Sequence, residues 1–188
     1  MKLCRIVVWH AGIVACLFLA EISHAQVIQT EMIDYSALVR AITAVESGGN
    51  PRAIGQAGER GLMQIKLETW REVTKKEFGT RVPFARAFEP ELNQQVGLAY
   101  LEHLTGQLSQ NRDKLKDTML PILVAAYHCG PGSVESVGYS LQRLSPQVRE
   151  YVDRVLNLHG LYSSESRLIA MATPLVTHGN VMGAITPN

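Results

Sequence analysis

Residues 44–65, AVESGGNPRAIGQAGERGLMQI, join the end of an apolar helical pattern to a glycine-rich segment. Glu46 lies four residues after Ile42 and seven after Val39, so a helix places its carboxylate on the same face as these apolar side chains. Five glycines follow within the next fifteen residues, and glycine favours loop conformations over helix. The stretch therefore predicts a partly buried carboxylate at the end of a helix, followed by a long loop.

Two physical effects favour the protonated form of Glu46. Burial disfavours its charged form, and the negative end of the helix macrodipole disfavours a second negative charge nearby. Both effects raise the carboxyl pKa, and general acid catalysis near neutral pH needs a group that retains its proton. Periodicity alone leaves an alternative open, in which Glu46 lies at the edge of the apolar face and reaches water or a loop amide.

Helical periodicity continues on both sides of this stretch. The first helix is predicted to begin after Ser36, its N-cap, and to end at Gly48-Gly49. Apolar spacing predicts four further helices, at Ile65 to Gly79, Leu92 to Leu108, residues 118–128, and after Ser145-Pro146. Alternation with a period of two is absent before residue 160. The predicted fold class is mainly α.

The charge balance argues against nucleic acid as a partner. The chain has 18 Lys and Arg residues against 17 Asp and Glu residues, whereas phosphate binding needs a clear excess of basic residues. His103, His128, His159 and His178 are scattered along the chain, and Cys129 has no cysteine at a zinc-binding spacing. Neither a metal nor a cofactor is predicted.

The first 25 residues have the pattern of a secretory signal. Two basic residues precede an apolar run at 6–20, and Ser23-His24-Ala25 offers small residues for cleavage. The alternatives are an uncleaved membrane anchor and lipidation at Cys16. The apolar run is shorter than the ~20 residues of a spanning helix, and it continues beyond Cys16. We expect an exported chain, cut after Ala25, without a stable membrane span in its mature part.

The composition changes again after residue 160. Between Leu161 and Asn188 the charged residues are Glu165 and Arg167, and Ser, Thr, Gly and small apolar residues dominate. We therefore expect a folded domain over residues 26–160 and a tail over residues 161–188. Chain termini are commonly poorly ordered, but the apolar run LIAMATPLV leaves packing on the domain or binding to a partner open.

Five motifs, in order, resemble those of the lytic transglycosylases of the soluble-lytic-transglycosylase (SLT) type. They are ESGGNPRA (46–53), GERGLMQI (58–65), NQQVGLAYL (93–101), AYHCGPG (126–132) and REYVDRV (149–155). Each motif alone is modestly specific, but together they follow the family's order and span roughly residues 32–156, most of the mature chain. The resemblance implies a single lysozyme-like helical domain that cleaves peptidoglycan. It also favours a catalytic role for Glu46 over the alternative in which Glu46 only reaches water or a loop amide from the edge of the apolar face.

The resemblance implies one carboxyl group as both acid and base. Glu46 would protonate the oxygen of the β-1,4 bond between N-acetylmuramic acid and N-acetylglucosamine. It would then take a proton from the muramic acid's own 6-hydroxyl as this group attacks the anomeric carbon. The product is a 1,6-anhydro sugar, and no water is consumed. Most glycosidases need two carboxylates, but an internal nucleophile makes the second less necessary.

Other positions carry over one at a time. Gln64 matches the glutamine of the family's Gly-Leu-Met-Gln motif, which is expected in the glycan groove. Tyr127 matches the tyrosine of Ala-Tyr-Asn at the groove wall, and Tyr151 matches the tyrosine beside the catalytic carboxylate. Met63 is expected to pack under the loop. The implied set of substrate-binding residues is Gln64, Met63, Tyr127, His128 and Tyr151.

Three residues depart from the family pattern. Gly55 stands where many members have a serine near the catalytic acid, so that hydrogen bond is absent or replaced. Glu59 replaces the usual alanine; we expect it to be solvated and paired with Arg60 or a neighbour, or to act as a hydrolase's second acid. His128 replaces an asparagine, and its protonation near pH 6.5 would place a positive charge near Glu46 and lower the pKa of that carboxyl.

The sequence thus predicts a periplasmic lytic transglycosylase that acts on peptidoglycan glycan strands. One alternative is a lysozyme-type hydrolase in which Glu59 helps to activate water. Another is a peptidoglycan-binding assembly protein that does not cleave, which Gly55 and His128 motivate. A cell-envelope secretion, pilus or conjugation apparatus is a candidate partner, because a short enzyme of this kind could open the wall locally for its assembly.

Overall fold

In a computed structural model of the 188-residue chain, the structure describes residues 32–172. The predicted signal at residues 1–25 and the last part of the predicted tail lie outside the described residues. Within residues 32–172 the regular structure is helical and no strand is formed. Two isolated antiparallel bridges, Ile54 with Arg60 and Arg60 with Ile65, brace the glycine-rich segment.

Six α-helices and three short 3-10 helices make up the described part of the chain. The α-helices are α1 (Tyr35–Ser47), α2 (Leu67–Phe78), α3 (Pro90–Ser109), α4 (Met119–Cys129), α5 (Pro131–Ser136) and α6 (Pro146–Ala172). The 3-10 helices span Phe84–Phe88, Arg112–Lys114 and Leu141–Arg143. The mainly α prediction is confirmed, and the four further helices predicted from spacing correspond to α2, α3, α4 and α6.

The two ends of α1 differ in how well the sequence predicted them. The carboxylate of Asp34 accepts a hydrogen bond from the backbone N–H of Ala37 at 3.0 Å, so Asp34 is the N-cap. The prediction of Ser36 was wrong because aspartate, two residues earlier, caps a helix as well as serine does. The predicted end is confirmed: Gly48 is left-handed, with φ 60°, and its N–H donates to the carbonyl of Ala44.

The core forms around α4. Its central residues from Ile122 to Ala126 are fully buried, and α3, α5 and α6 pack against it. The apolar sequence at 118–128 predicted a helix buried on every face, which the structure confirms for these five residues, whereas the two ends of the helix are less buried. Pro121 lies in the first turn of α4, where a proline removes no intrahelical hydrogen bond.

The buried face of α1 determines where Glu46 lies. This face consists of Ala37, Leu38, Ala41 and Ile42, which pack against α6. Val39, which we placed on the same face, is only half-buried. Glu46 follows Ile42 by one helical turn, so it stands where the buried face ends and the surface begins.

Helix α6 continues past residue 160, where we placed the end of the domain. The guanidinium of Arg40 donates a 2.8 Å hydrogen bond to Glu165 and lies 4.2 Å from the centroid of the Tyr162 ring. Ser163 is buried. The helix extends because residues 161–172 contain neither glycine nor proline. The beginning of the predicted tail is therefore helical and contacts α1.

None of the helices within residues 32–172 has both the length and the hydropathy that a membrane-spanning segment needs.

Candidate active site

Glu46 lies in the last turn of α1, and its side chain is half-buried. The hydroxyl of Tyr151, on α6, donates a hydrogen bond to Oε1 of Glu46 at 2.7 Å. Burial raises the pKa of Glu46 above its ordinary value, and the negative charge of Glu59 adds to this rise. The hydrogen bond from Tyr151 and the positive charges of Arg154 and Lys66 oppose it. The net shift is upward, as the position of Glu46 in the sequence predicted.

Tyr151 is held between Glu46 and a stacked imidazole. Its side chain is only 7% exposed. The ring of His128 stacks on the ring of Tyr151, with 3.9 Å between centroids and 17° between planes. Burial raises the pKa of Tyr151 far above its usual value, so the hydroxyl keeps its proton and acts as a donor. Tyr151 therefore contacts and orients the carboxyl group of Glu46 from behind.

His128 has a different electrostatic effect from the one predicted. Partial burial lowers the pKa of His128, and the positive charge of Lys66 lowers it further. The imidazole is thus neutral at neutral pH. The sequence placed the protonation of His128 near pH 6.5, whereas partial burial and Lys66 move it to lower pH, so the ring carries less charge beside Glu46 than predicted.

The glycine-rich loop, residues 48–66, forms the opposite wall. Gln64 adopts a left-handed backbone with φ 46°. Its amide Nε2 donates to the carbonyl of Gly61 at 2.8 Å and to that of Ala53 at 3.2 Å. Both donor contacts of this amide are therefore made within the loop. Its oxygen is the atom of the side chain that can accept a hydrogen bond from a ligand.

Asn93 fixes this loop to α3, and we did not predict its role. The side chain is fully buried. Its Oδ1 accepts the N–H of Met63 at 2.8 Å, while Nδ2 donates to the carbonyls of Ala87 at 2.7 Å and Arg60 at 3.0 Å. The available signal was an amide side chain within the third motif, NQQVGLAYL, on a helix face that is otherwise apolar.

Two further hydroxyl groups tie the loop to the helices. Ser47, the last residue of α1, donates to the carbonyl of Leu62 at 2.8 Å. Tyr127 donates from α4 to the carbonyl of Met63, also at 2.8 Å, and burial raises the pKa of Tyr127 well above its usual value. The segment that carries Gln64 is therefore anchored to α1 and α4 as well as α3.

Met63 does not reach the groove. Its side chain is fully buried and lies against Gly97 of α3, where an added Cβ would collide with the sulfur atom. The expectation that Met63 packs under the loop is confirmed. Its neighbour Gln64 lines the groove whereas Met63 does not, so the position of Met63 does not support the predicted contact with substrate.

Gly55 and Glu59 meet across the tip of the loop. The N–H of Gly55 donates to the carbonyl of Glu59 at 2.9 Å, and the Glu59 carboxylate accepts the N–H of Ala57 at 3.0 Å. Arg60 instead lies over the ring of Phe84, with 4.4 Å to the centroid. Of the two predicted pairings of Glu59, with Arg60 or with another neighbour, the structure forms the second, through the N–H of Ala57.

These elements enclose a groove of 670 Å³. Its wall includes six residues that the sequence singled out: Glu46, Gly55, Glu59, Gln64, Tyr127 and His128. It also includes Tyr100 and Lys66, which we did not predict as site residues. Tyr100 packs on Tyr127, with 5.6 Å between ring centroids. The groove thus combines a protonatable carboxyl with aromatic rings and a few polar groups, a combination that is common in ligand-binding pockets.

Cys129 lines the same groove as an inert thiol. Its Sγ donates to the carbonyl of Ala125 at 3.1 Å, and burial raises its pKa, which disfavours the reactive thiolate. Residues 32–172 contain no group of three or more His, Cys, Asp or Glu side chains placed to hold a metal ion.

Sequence comparison places this chain among known proteins. Residues 25–146 match the family described as the transglycosylase SLT domain. A relative from Cronobacter sakazakii, named endo-type membrane-bound lytic murein transglycosylase A, is 34% identical over 132 residues, which cover 65% of this chain and 64% of the relative. A protein of the same name from Salmonella paratyphi B is 36% identical over 100 residues, covering 52% and 48%. The match spans less than two thirds of either relative.

Two solved structures have a similar fold. An inactive mutant of the lytic transglycosylase Slt from Pseudomonas aeruginosa matches with a TM-score of 0.57 and 27% identity, over 70% of this chain and 22% of that protein. The 70 kDa soluble lytic transglycosylase from Escherichia coli matches with the same TM-score and identity, over 69% and 22%.

Proposed function

This chain belongs to the transglycosylase SLT domain family, and we propose that it is a peptidoglycan lytic transglycosylase with Glu46 as its acid and base. One observation carries the proposal: a half-buried carboxyl with a raised pKa opens onto the groove and accepts a hydrogen bond from Tyr151. The names of the two curated relatives support the same reaction.

The acid step uses the proton that burial retains on Glu46. Tyr151 holds Oε1, so Oε2 is left to carry the proton towards the groove. Transfer of this proton to the glycosidic oxygen allows the bond between that oxygen and the anomeric carbon to break. The Tyr151 hydroxyl then stabilises the carboxylate that remains, because a hydrogen bond to a charged acceptor is stronger than one to a neutral acceptor.

The base step restores the starting state. The carboxylate of Glu46 takes the proton of the muramic acid's 6-hydroxyl, and the oxygen of that hydroxyl bonds to the anomeric carbon. One proton leaves Glu46 and one returns, so the cycle needs neither water nor a cofactor. A raised pKa serves both steps, since it brings the acid and base forms of the carboxyl closer to balance near neutral pH.

The groove walls supply the contacts that would position the glycan. The rings of Tyr100, Tyr127 and His128 offer flat apolar surfaces for sugar rings, and the oxygen of Gln64 can accept a hydrogen bond from a hydroxyl or N-acetyl group. Asn93 holds the Gln64 segment in place. Substrate binding therefore depends on a wall that is fixed before the glycan arrives.

A lysozyme-type hydrolase is the second candidate, and Glu59 is the observation that favours it. Its carboxylate lines the same groove as Glu46, and hydrolysis commonly uses a second carboxylate to activate water. Digestion of purified sacculi in water labelled with heavy oxygen separates the two reactions, because hydrolysis incorporates the label into new reducing ends and anhydro formation does not. The Glu46→Gln variant tests whether either reaction uses Glu46.

We also propose a periplasmic location and a role in local opening of the wall for a cell-envelope apparatus. The signal-like pattern of residues 1–25 motivates the proposed location, and the low charge of the C-terminal residues motivates the proposed role. Deleting residues 173–188 keeps the contacts of Tyr162 and Glu165 with Arg40. If that deletion changes neither localisation nor assembly of the apparatus while activity is retained, the partner role is wrong.

A further inference from the structure

Gly55 and Glu59 are the two residues of the loop that depart from the family pattern. The Glu59 side chain fills the space that a side chain at position 55 would need. A Cβ built on Gly55 would collide with the Glu59 carboxylate and would lie 3.1 Å from Cβ of Glu59. It would also lie 2.8 Å from the side-chain oxygen of Gln64. The backbone of Gly55 is not left-handed, so a side chain at this position would be opposed by these contacts and not by the backbone conformation.

A hydrogen bond to the loop backbone holds the Glu59 carboxylate in that space. Its Oε2 accepts the backbone N–H of Ala57 at 3.0 Å, and the Gly55–Glu59 backbone hydrogen bond and the Ile54–Arg60 bridge brace the segment on either side. The side chain is half-buried. A carboxylate held in this way presents a negative charge to the groove in one place.

The surroundings of Glu46 show what this charge can do. Of the described residues that line the groove, two are carboxylates, Glu46 and Glu59. Other polar groups act on Glu46 or line the groove with it: Tyr151 and Arg154 on α6, Tyr127 and His128 on α4, and Lys66 in the loop. Lys66 and Arg154 favour loss of the proton from Glu46, whereas Glu59 favours its retention.

We propose that Glu59 is a positioning residue of this site: seated in the space that Gly55 leaves, its negative charge keeps the proton on Glu46 for the acid step. A nearby like charge makes a second negative charge costly, so Glu59 offsets the two cations. Gly55 is the steric partner of this arrangement, because any side chain there displaces the carboxylate. The catalytic consequence rests on the proposed function, whereas the electrostatic coupling of Glu59 to Glu46 does not.

The coupling is tested by the titration of Glu46 in the full chain. NMR of isotope-labelled glutamate carboxyl carbons reports it directly, with the resonance of Glu46 identified by its loss in Glu46→Gln. We expect Glu59→Gln, which keeps the size of the side chain, to lower the pKa of Glu46. The matched control is Glu102→Gln, an exposed glutamate on α3 that does not line the groove, which should leave the Glu46 titration unchanged.

A substitution at Gly55 gives a second test of the coupling. Gly55→Ala should also lower the pKa of Glu46, because the added methyl group pushes the Glu59 carboxylate away from the Ala57 N–H. In the Glu59→Gln background the same change should have little further effect, so the two substitutions should be strongly non-additive. An unchanged Glu46 titration in Glu59→Gln, or fully additive shifts in the double variant, would overturn the proposal.

Activity separates this inference from the proposed function. If the chain releases anhydro products, Glu59→Gln should move the alkaline limb of its pH–rate profile to lower pH, since Glu46 then loses its proton earlier. The products themselves should remain anhydro sugars. Reducing-end products that disappear in Glu59→Gln would instead make Glu59 a hydrolytic base and overturn the positioning role. If Glu59→Gln shifts the pKa of Glu46 but the chain releases no product, the proposed enzymatic function is wrong and the coupling between Glu59 and Glu46 stands.

Discussion

The hydroxyl of Tyr151 lies 2.7 Å from Oε1 of Glu46, although the two residues are 105 positions apart in the chain. This contact joins the end of α1 to the buried face of α6. It takes up one oxygen of the carboxyl and leaves the other for the groove. Because Tyr151 is itself packed under His128, the orientation of Glu46 depends on three elements of the fold, α1, α4 and α6.

Replacing Tyr151 with phenylalanine should lower kcat and move the alkaline limb of the pH–rate profile upward. The hydrogen bond from Tyr151 lowers the pKa of Glu46, so its removal raises that pKa further. A hydrogen bond to a charged group contributes about 1.5–3 kcal/mol, so we expect kcat to fall by roughly tenfold to a hundredfold. Steady-state rates on soluble glycan measured across pH test this. A limb that moves to lower pH would contradict the assigned hydrogen bond.

Removing the His128 ring should loosen Tyr151. We expect His128→Ala to reduce kcat by roughly threefold to tenfold, because stacked aromatic pairs contribute about 0.5–1.5 kcal/mol. The matched variant is His128→Phe, which keeps a flat ring over Tyr151 and should retain more of the rate. If both variants lose activity equally, the imidazole nitrogens contact the substrate and stacking is not the main role of His128.

Asn93→Ala should destabilise the fold and the groove together. The substitution leaves the buried N–H of Met63 and the buried carbonyl of Ala87 without the partner that Asn93 provides, so we expect the free energy of unfolding to fall by about 3 kcal/mol. Asn157→Ala, at an exposed position on α6, serves as the control and should change it by less than about 0.5 kcal/mol. Chemical denaturation measures both values. A loss no greater than that of the control would show that the hydrogen bonds of Asn93 do not hold the loop.

Glu46→Gln should stabilise the protein at alkaline pH. The pKa of Glu46 in the folded state is raised above its ordinary value, so the folded protein holds this proton more tightly than the unfolded chain does. Stability that depends on this proton is present below the ordinary carboxyl pKa and is lost as the pH rises through the raised value. Glutamine can still accept the Tyr151 hydrogen bond and does not ionise.

Thermal unfolding of Glu46→Gln and the unchanged protein at several pH values tests this linkage. The variant should have the higher Tm above the raised pKa, and the difference should shrink towards acid pH. A difference that grows as the pH falls would mean that the folded state favours the charged carboxyl, contrary to the burial of Glu46.

Local rules predicted the position of Glu46 but not its partners. Helical spacing placed the carboxyl at the end of the apolar face, and the two glycines after it predicted the end of α1. The pairing with Tyr151 joins residues far apart in the chain, so only the resemblance of the REYVDRV motif indicated it. The N-cap was misplaced at Ser36 because Asp34 is an equally suitable capping residue, and sequence alone does not choose between them.

Side-chain direction within the loop explains most of the remaining errors. The turn at Gln64 reverses the chain, which buries Met63 and exposes its neighbour. Glu59 folds back onto Ala57 because Gly55 leaves room, and this contact depends on three-dimensional packing at the loop tip. Asn93 was overlooked because a buried amide in a helix is recognised by the backbone groups it satisfies, and those belong to a different segment.

The analysis of products from purified sacculi tests the central claim most directly. The chain and its Glu46→Gln variant are incubated with sacculi in water labelled with heavy oxygen, and the released muropeptides are identified by mass. The account predicts unlabelled 1,6-anhydro-muramic acid ends from the chain and none above background from the variant. Thermal unfolding curves check that both proteins are folded. Labelled reducing ends, or anhydro ends that persist in Glu46→Gln, would contradict it.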